Sequence, residues 1–222
     1  MIKTKDVLVI GLGRFGSSIV ETLLEKKQRV TVVDMSEQRI NKFSRRAEYA
    51  KVCDTRNEEV LEQLGVNNFD HVVVAIGSSI ESSIITTLLL KDMGVNNITV
   101  KASNFQHKSA LLKLGIAPGN IIMPEHEMGH KVALTITVPI VADYVSLIGK
   151  KYSIIETFPN KTSLSGHNIK DLDIKRKFNV TIAAIKRDDE VIIPDSNTII
   201  GDNDSLIVIG EDGALNNFEQ IL

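Results

Sequence analysis

Short apolar runs rich in valine and isoleucine alternate with longer amphipathic stretches through residues 1–138 of this 222-residue chain. Each run is short enough for a β-strand, and six strands are predicted at DVLVIG, RVTVVD, YAKVCD, HVVVAIG, NITVKA and NIIMP. Helices are predicted between them, for example at SSIVETLLEK, EEVLEQLG and SSIESSIITTLLLKDMG. Because strands that alternate with helices pair in parallel, the pattern predicts an α/β fold with a Rossmann-like, doubly wound parallel sheet.

The pattern changes after Pro139. Short strands are predicted at YSIIETFP, VTIAAIKR, EVIIP and DSLIVIG, with turn residues and only two short helices among them. Residues 151–222 are therefore predicted to form a small α+β lobe. Residues 139–150 are predicted to connect it to the Rossmann-like lobe, and they are apolar enough to pack against a partner.

Composition and charge exclude several classes of protein. Lysine and arginine number 26 and aspartate and glutamate 28, a formal net charge of −2 that offers no broad cationic surface for nucleic acid. The apolar stretch ITVPIVADYVSLIG is shorter than the roughly 20 residues that span a bilayer. Cys53 is the only cysteine, and the amino terminus lacks a signal-peptide cleavage pattern. We therefore expect a cytoplasmic protein.

The strongest chemical signal is the loop VIGLGRFG, which follows the first predicted strand and begins a helix. In this arrangement Gly11 permits a tight turn, Gly13 lets backbone N–H groups approach a pyrophosphate, and Gly16 lets the helix pack closely. Asp34 ends the second strand, where its carboxylate would accept hydrogen bonds from ribose hydroxyls and repel a 2′-phosphate. We therefore expect an adenosine ligand other than NADP.

Further candidate residues follow the next strands, because ligands of open α/β sheets bind at the carboxyl ends of strands. Asp54 either meets the adenine or caps the following helix, and Lys101 is either a phosphate ligand or an ordinary surface lysine. Arg14 can reach phosphates beyond the first, which favours ATP or ADP over NAD(H). The candidate nucleotide-binding residues are Gly11, Gly13, Arg14, Phe15, Gly16, Asp34, Asp54, Ile76, Gly77 and Lys101.

Residues 126–130 read HEMGH and match the zinc-protease pattern H-E-x-x-H. The extended pattern with a third ligand does not follow, and the segment comes where the last helix of a doubly wound lobe is expected. We therefore do not expect a zinc enzyme. Glu125, just before the motif, can instead supply an oxygen ligand to Ca²⁺ or Mg²⁺ at a subunit interface.

The sequence contains few recognisable catalytic motifs. A dehydrogenase needs an acid or base beside the nicotinamide, yet no Y-x-x-x-K pair follows any tyrosine. No G-x-x-x-x-G-K-[ST] phosphate loop is present either. These observations favour a nucleotide-sensing protein that is not an enzyme, with a small NAD-dependent oxidoreductase as the alternative.

Several segments form a recognisable set: VIGLGRFG, VVD, VVVAIG, ITVKA and MPEHEMG, followed by DLDI, AIKR and DSLIVIG. On these segments the chain resembles the regulator-of-potassium-conductance family, in particular the cytosolic gating subunits of Ktr-type bacterial potassium uptake systems. The resemblance covers nearly the whole chain. It implies homodimers in an octameric ring that binds ATP or ADP. It also implies docking on an integral-membrane potassium-translocating subunit at the cytoplasmic face of the membrane.

The resemblance also implies roles for individual residues. The loop glycines, Asp34 and Lys101 match nucleotide contacts, and Arg14 matches an arginine that reaches the terminal phosphate of ATP across the dimer. Glu125 matches a carboxylate associated with an activating divalent cation at the dimer interface. The smaller lobe resembles lobes that bind cyclic di-AMP between two subunits. There Lys175 stands where arginine is usual and Thr181 where asparagine is usual, and lysine lacks the planar fork of arginine.

Overall fold

The computed structural model describes residues 4–137, 141–146, 152–159, 164–188 and 190–220. The chain forms two compact units, Met1–Glu125 and His126–Leu222. The predicted fold class, a Rossmann-like parallel sheet followed by a small α+β lobe, is confirmed. The sequence-based domain limits at residues 138 and 150 stay predictions.

The first unit contains a sheet of six parallel strands in the order β3-β2-β1-β4-β5-β6. The order reverses between β1 and β4, and such a reversal opens a crevice at the carboxyl ends of the two strands. The strands are β1 (Asp6–Ile10), β2 (Arg29–Asp34), β3 (Tyr49–Val52), β4 (His71–Val74), β5 (Ile98–Lys101) and β6 (Ile121–Ile122).

Helices connect these strands, as the alternating pattern predicts. They are α1 (Arg14–Glu25), α2 (Glu37–Asn41), α3 (Glu58–Leu64), α4 (Ile80–Asp92) and α5 (Phe105–Lys113), and α6 (Pro124–Thr137) follows β6. The predicted sixth strand, NIIMP, is shorter than expected, because a 3₁₀ turn ends at Asn120 and α6 begins at Pro124. Proline suits the first helical position because the helix has no use for an N–H group there.

Both faces of the central strands are buried. Leu8 and Ile10 of β1 belong to one apolar cluster, whereas Val7 and Val9 belong to the other. Alternate side chains of a strand point to opposite faces, so each face of β1 packs into its own core. This two-sided burial explains why the strand is a continuous apolar run rather than an alternation of apolar and polar residues.

The second unit contains a five-stranded antiparallel sheet in the order β10-β9-β11-β8-β7. Its apolar core includes Ile155, Ile185, Leu206 and Phe218. The strands are β7 (Val141–Ser146), β8 (Tyr152–Thr157), β9 (Val180–Arg187), β10 (Glu190–Ile192) and β11 (Ser205–Glu211). The described part of this unit after β8 holds α7 (Ile169–Leu172), α8 (Ile174–Phe178) and α9 (Asp212–Glu219).

One expectation for the smaller lobe is wrong. It holds three short helices in its described part instead of two, because Asp173 in a left-handed conformation separates α7 from α8. Residues 141–146, assigned by sequence to a connection, form the edge strand β7 paired with β8. Residues 141–146 are extended because their backbone groups form hydrogen bonds with β8. The remainder of the predicted connection 139–150 lies outside the described residues.

A charged pair ties the end of β9 to the loop before β11. Both carboxylate oxygens of the buried Asp204 accept hydrogen bonds from Arg187, at 2.8 Å each. The backbone N–H of Gly201 also donates to Asp204, and Arg187 donates to the carbonyl oxygen of Ile199. The hydrogen bonds from Arg187 hold the pKa of Asp204 below its usual value.

Candidate functional site

A cavity of about 630 Å³ lies beyond the carboxyl ends of β1 to β5, at the reversal of the strand order. Every candidate nucleotide-binding residue lines it except Gly16, and Glu125 lines it as well. The structure therefore brings together residues that are widely separated in sequence, as expected for ligand sites of open α/β sheets.

The three loop glycines have different physical reasons to be glycine. Gly11 has a φ of +94°, and a Cβ there would lie 3.0 Å from the backbone of Ala75. A Cβ on Gly16 would lie 1.9 Å from the carbonyl oxygen of Gly11, so α1 packs too closely for any side chain. A Cβ on Gly13 would meet nothing within 4 Å. Gly11 and Gly16 are thus required by the fold, whereas Gly13 leaves open space in the cavity.

Helix α1 begins at this open space. Its N-cap residue is Gly13, which provides no capping side chain, and the first turn contains no acidic residue. In contrast, the side chains of Asn57, Ser79 and Asn104 cap α3, α4 and α5. The start of α1 therefore retains its partial positive charge and backbone N–H donors, which is the arrangement that binds phosphate.

Asp34 holds the glycine loop in place. Its buried carboxylate accepts hydrogen bonds from the backbone N–H groups of Leu12, at 2.6 Å, and Ser36, at 2.8 Å. Arg39 of α2 lies 3.4 Å from the same carboxylate. A carboxylate has further lone pairs, so these contacts leave acceptor capacity for ribose hydroxyls. Asp34 thus has a positioning role that the sequence did not predict.

Asp54 does not cap α3. Its carboxylate is held by Arg56, whose Nη2 atom lies 2.6 Å from Oδ2, and the N-cap of α3 is Asn57. Hydrogen bonds from Arg56 hold the pKa of Asp54 below its usual value. The helix-cap alternative is therefore wrong, and contact between Asp54 and adenine stays a prediction.

Lys101 is not an ordinary surface lysine, because its side chain is only 13% exposed. Its ammonium lies 2.6 Å from Oε1 of Glu125 and 6.0 Å from the centre of the Phe15 ring. A Cβ on Gly77 would lie 3.3 Å from that ammonium, so the glycine gives the lysine room. The hydrogen bond from Lys101 is the largest cause that holds the pKa of Glu125 below its usual value, and the charge of Arg14 adds to it.

The predicted cation site includes the carboxylate of Glu125. Glu125 is 64% exposed and already has Lys101 as a partner. In the described residues, no three or more His, Cys, Asp or Glu side chains are grouped to hold a metal ion. His126 and His130 lie in α6, the helix expected at this position.

Sequence analysis missed two arginines that line the cavity, Arg39 and Arg56. Each follows an acidic residue at a strand end by two to five positions, Asp34 and Asp54 respectively. The turn after a parallel strand faces the same edge of the sheet as the strand end, so this spacing is the signal that could have found them. The other lining residues outside the prediction are Ile10, Val33, Met35, Ser36, Cys53, Thr55, Ala75, Ser78 and Ser82.

Comparison with known proteins relates both units to one family. Residues 7–124 match the TrkA-N domain, and residues 154–222 match the TrkA-C domain. The chain is 42% identical over 217 residues to Ktr system potassium uptake protein C of Bacillus subtilis (strain 168), covering 97% of this chain and 96% of that protein. It is 38% identical over 219 residues to Ktr system potassium uptake protein A of the same organism, covering 98% and 97%.

Solved structures agree on the fold. The chain superposes on the GsuK channel bound to NAD with a TM-score of 0.69 and 14% sequence identity. The match covers 99% of this chain and 40% of the channel chain, and at this identity it shows the fold alone. None of the helices in the described part of the chain is both long enough and apolar enough to cross a bilayer.

Alanine at Gly16 should lower stability, whereas alanine at Gly13 should weaken nucleotide binding and leave stability nearly unchanged. Gly16→Ala is expected to lower the free energy of unfolding by about 3 kcal/mol or more, because its methyl group overlaps the Gly11 carbonyl. Gly13→Ala is expected to keep that free energy within about 1 kcal/mol and to weaken nucleotide binding, because its methyl group occupies the open space. Urea unfolding and calorimetric titration measure the two effects.

Gly119→Ala is the matched control, since a Cβ there also meets nothing within 4 Å and the residue does not line the cavity. It should change neither stability nor nucleotide binding. Equal losses of stability in Gly13→Ala and Gly16→Ala would contradict the distinction between the two glycines.

Proposed function

The chain belongs to the family that combines TrkA-N and TrkA-C domains, and we propose that it is the nucleotide-responsive regulatory subunit of a potassium uptake system. One observation is the main support for nucleotide binding. A single cavity combines the open Gly13, the uncapped start of α1 and the cationic side chains of Arg14 and Lys101. This is a site for a phosphate-bearing ligand.

The relatives support the potassium uptake role for both units together, because Ktr system potassium uptake proteins match this chain over nearly their whole length. In this role the chain is cytoplasmic and forms homodimers that assemble into an octameric ring. The ring docks on an integral-membrane potassium-translocating subunit at the cytoplasmic face of the membrane. The nucleotide acts as a signal and is not a substrate.

ATP and ADP are the proposed ligands, with NAD(H) less favoured. Arg14 and Lys101 supply positive charge for more than one phosphate, and both line the cavity. Asp34 lies at the end of β2, where its carboxylate repels a 2′-phosphate. Cyclic di-AMP, which the sequence resemblance implies for the smaller unit, stays a prediction. There Lys175 of α8 and Thr181 of β9 are both exposed.

Calorimetric titration tests the nucleotide assignment. We expect ATP and ADP to bind with micromolar dissociation constants. NADP should bind at least about tenfold more weakly, because its 2′-phosphate would face the carboxylate of Asp34. Tight NADH binding together with hydride transfer to an oxidant would favour the alternative, a small NAD-dependent oxidoreductase.

Regulation requires that ATP and ADP favour different conformations, since a ligand shifts an equilibrium only by its differential affinity for two states. We expect small-angle scattering profiles of the purified oligomer to differ between saturating ATP and saturating ADP. Arg14→Gln should abolish this difference and retain ADP binding, because Arg14 is proposed to reach the terminal phosphate of ATP. Superimposable wild-type profiles would argue against regulation by this route.

Glu125 is proposed to contribute an oxygen ligand to Ca²⁺ or Mg²⁺ when ATP is bound. The support is charge balance, because ATP phosphates from facing subunits gather negative charge that Arg14 offsets only in part. A carboxylate oxygen suits either cation, whereas zinc prefers the imidazoles of His126 and His130.

A thermal unfolding assay distinguishes a Ca²⁺ site at Glu125 from a zinc site at His126 and His130. In the presence of ATP, Ca²⁺ is expected to raise the Tm of the wild type by about 3 °C, roughly the effect of 1 kcal/mol in a chain of this size. Glu125→Gln should lose this increase, and His126→Ala/His130→Ala should keep it. Stoichiometric zinc that depends on the two histidines would show that the assignment is wrong.

A further inference from the structure

We propose that Lys101 exchanges partners when a nucleotide binds. Its ammonium pairs with Glu125, and in the proposed exchange it turns to a phosphate of the nucleotide and releases the carboxylate. The exchange deepens the proposed function and rests on it, because it assumes that the cavity binds a phosphate-bearing nucleotide.

The two members of the pair have unequal surroundings. The Lys101 side chain is 13% exposed and that of Glu125 is 64% exposed, although Nζ and Oε1 lie 2.6 Å apart. The ammonium is therefore held inside the cavity wall, whereas the carboxylate reaches it from the solvent side. Glu125 is the partner that can leave without being desolvated.

The position of Lys101 is fixed by its neighbours. Its ammonium lies 6.0 Å from the centre of the Phe15 ring, and it passes so close to Gly77 that a Cβ there would be 3.3 Å away. Phe15 belongs to α1, directly after the uncapped start of that helix. Lys101 and Gly13 line the same cavity, so a phosphate in front of Gly13 competes with Glu125 for the ammonium.

The competition favours phosphate. An ion pair with a mostly exposed carboxylate is weak, because water screens the charge and the side chain loses conformational freedom. A phosphate group carries more charge and several acceptor oxygens, and it also receives N–H donors from the start of α1. The ammonium can therefore change partners without a large opposing free energy.

The released carboxylate lies at the start of the helix that links the two units. Glu125 is the second residue of α6, which begins at Pro124 in the first unit and continues into the second. Loss of its cationic partner leaves a full negative charge in the first turn of this helix, where the helix dipole favours it. Phosphate binding in the cavity thereby removes a positive charge from beside the first turn of α6, the helix that continues from the first unit into the second.

A double-mutant cycle on the full chain tests the exchange. ADP affinity is measured calorimetrically in chelator for the wild type, Glu125→Gln, Lys101→Met and the double variant. In the exchange, wild-type binding must break the ion pair, so Glu125→Gln is expected to tighten ADP binding about threefold. In the Lys101→Met background no pair exists, and Glu125→Gln should then change the affinity less than about 1.5-fold.

Glu81→Gln is the matched control, because it removes an exposed carboxylate from the first turn of α4 and measures simple charge repulsion. Its effect should be small in both backgrounds. Lys101→Gln replaces Lys101→Met if the latter does not unfold cooperatively. An equal or larger tightening by Glu125→Gln in the variant background, or a weakening in the wild type, would overturn the exchange. Absence of ADP binding to the folded wild type would instead contradict the proposed function.

Discussion

The close approach of α1 to the end of β1 is the constraint on which the site depends. A Cβ on Gly16 would lie 1.9 Å from the carbonyl oxygen of Gly11, so only glycine permits this packing. The turn between them is held from the other side by Asp34, which accepts the N–H group of Leu12. Together these contacts place the uncapped start of α1 at the cavity, where it can receive a phosphate.

The lining of the cavity includes four cationic side chains and three carboxylates. Its acidic lining residues are each engaged: Asp34 by backbone N–H groups, Asp54 by Arg56 and Glu125 by Lys101. Arg56 and Lys101 offset the charges of Asp54 and Glu125, so these two carboxylates repel an approaching phosphate less than unpaired carboxylates would. The pairs differ in the exposure of their members. In the Lys101 pair the cation is mostly buried and the carboxylate of Glu125 is exposed.

The two units have different physical characters. The parallel sheet of the first unit is buried on both faces and leaves its strand ends as a binding edge, whereas the second unit is a compact antiparallel sheet with short helices. Relatives that match both units over nearly their whole length show that the combination is a property of the family. Glu125, the second residue of α6, lines the cavity, and α6 continues from the first unit into the second.

The sequence by itself determined the fold class, most strands and the glycine loop, because periodicity and backbone sterics are local properties. Asp34 was found for the same reason, since its distance from the loop is set by one strand-helix-strand unit. Only the tertiary structure decided that Lys101 pairs with Glu125, that Arg56 takes Asp54 and that residues 141–146 pair as β7. These outcomes depend on which side chains and backbone segments become neighbours after packing, and local pattern does not contain that information.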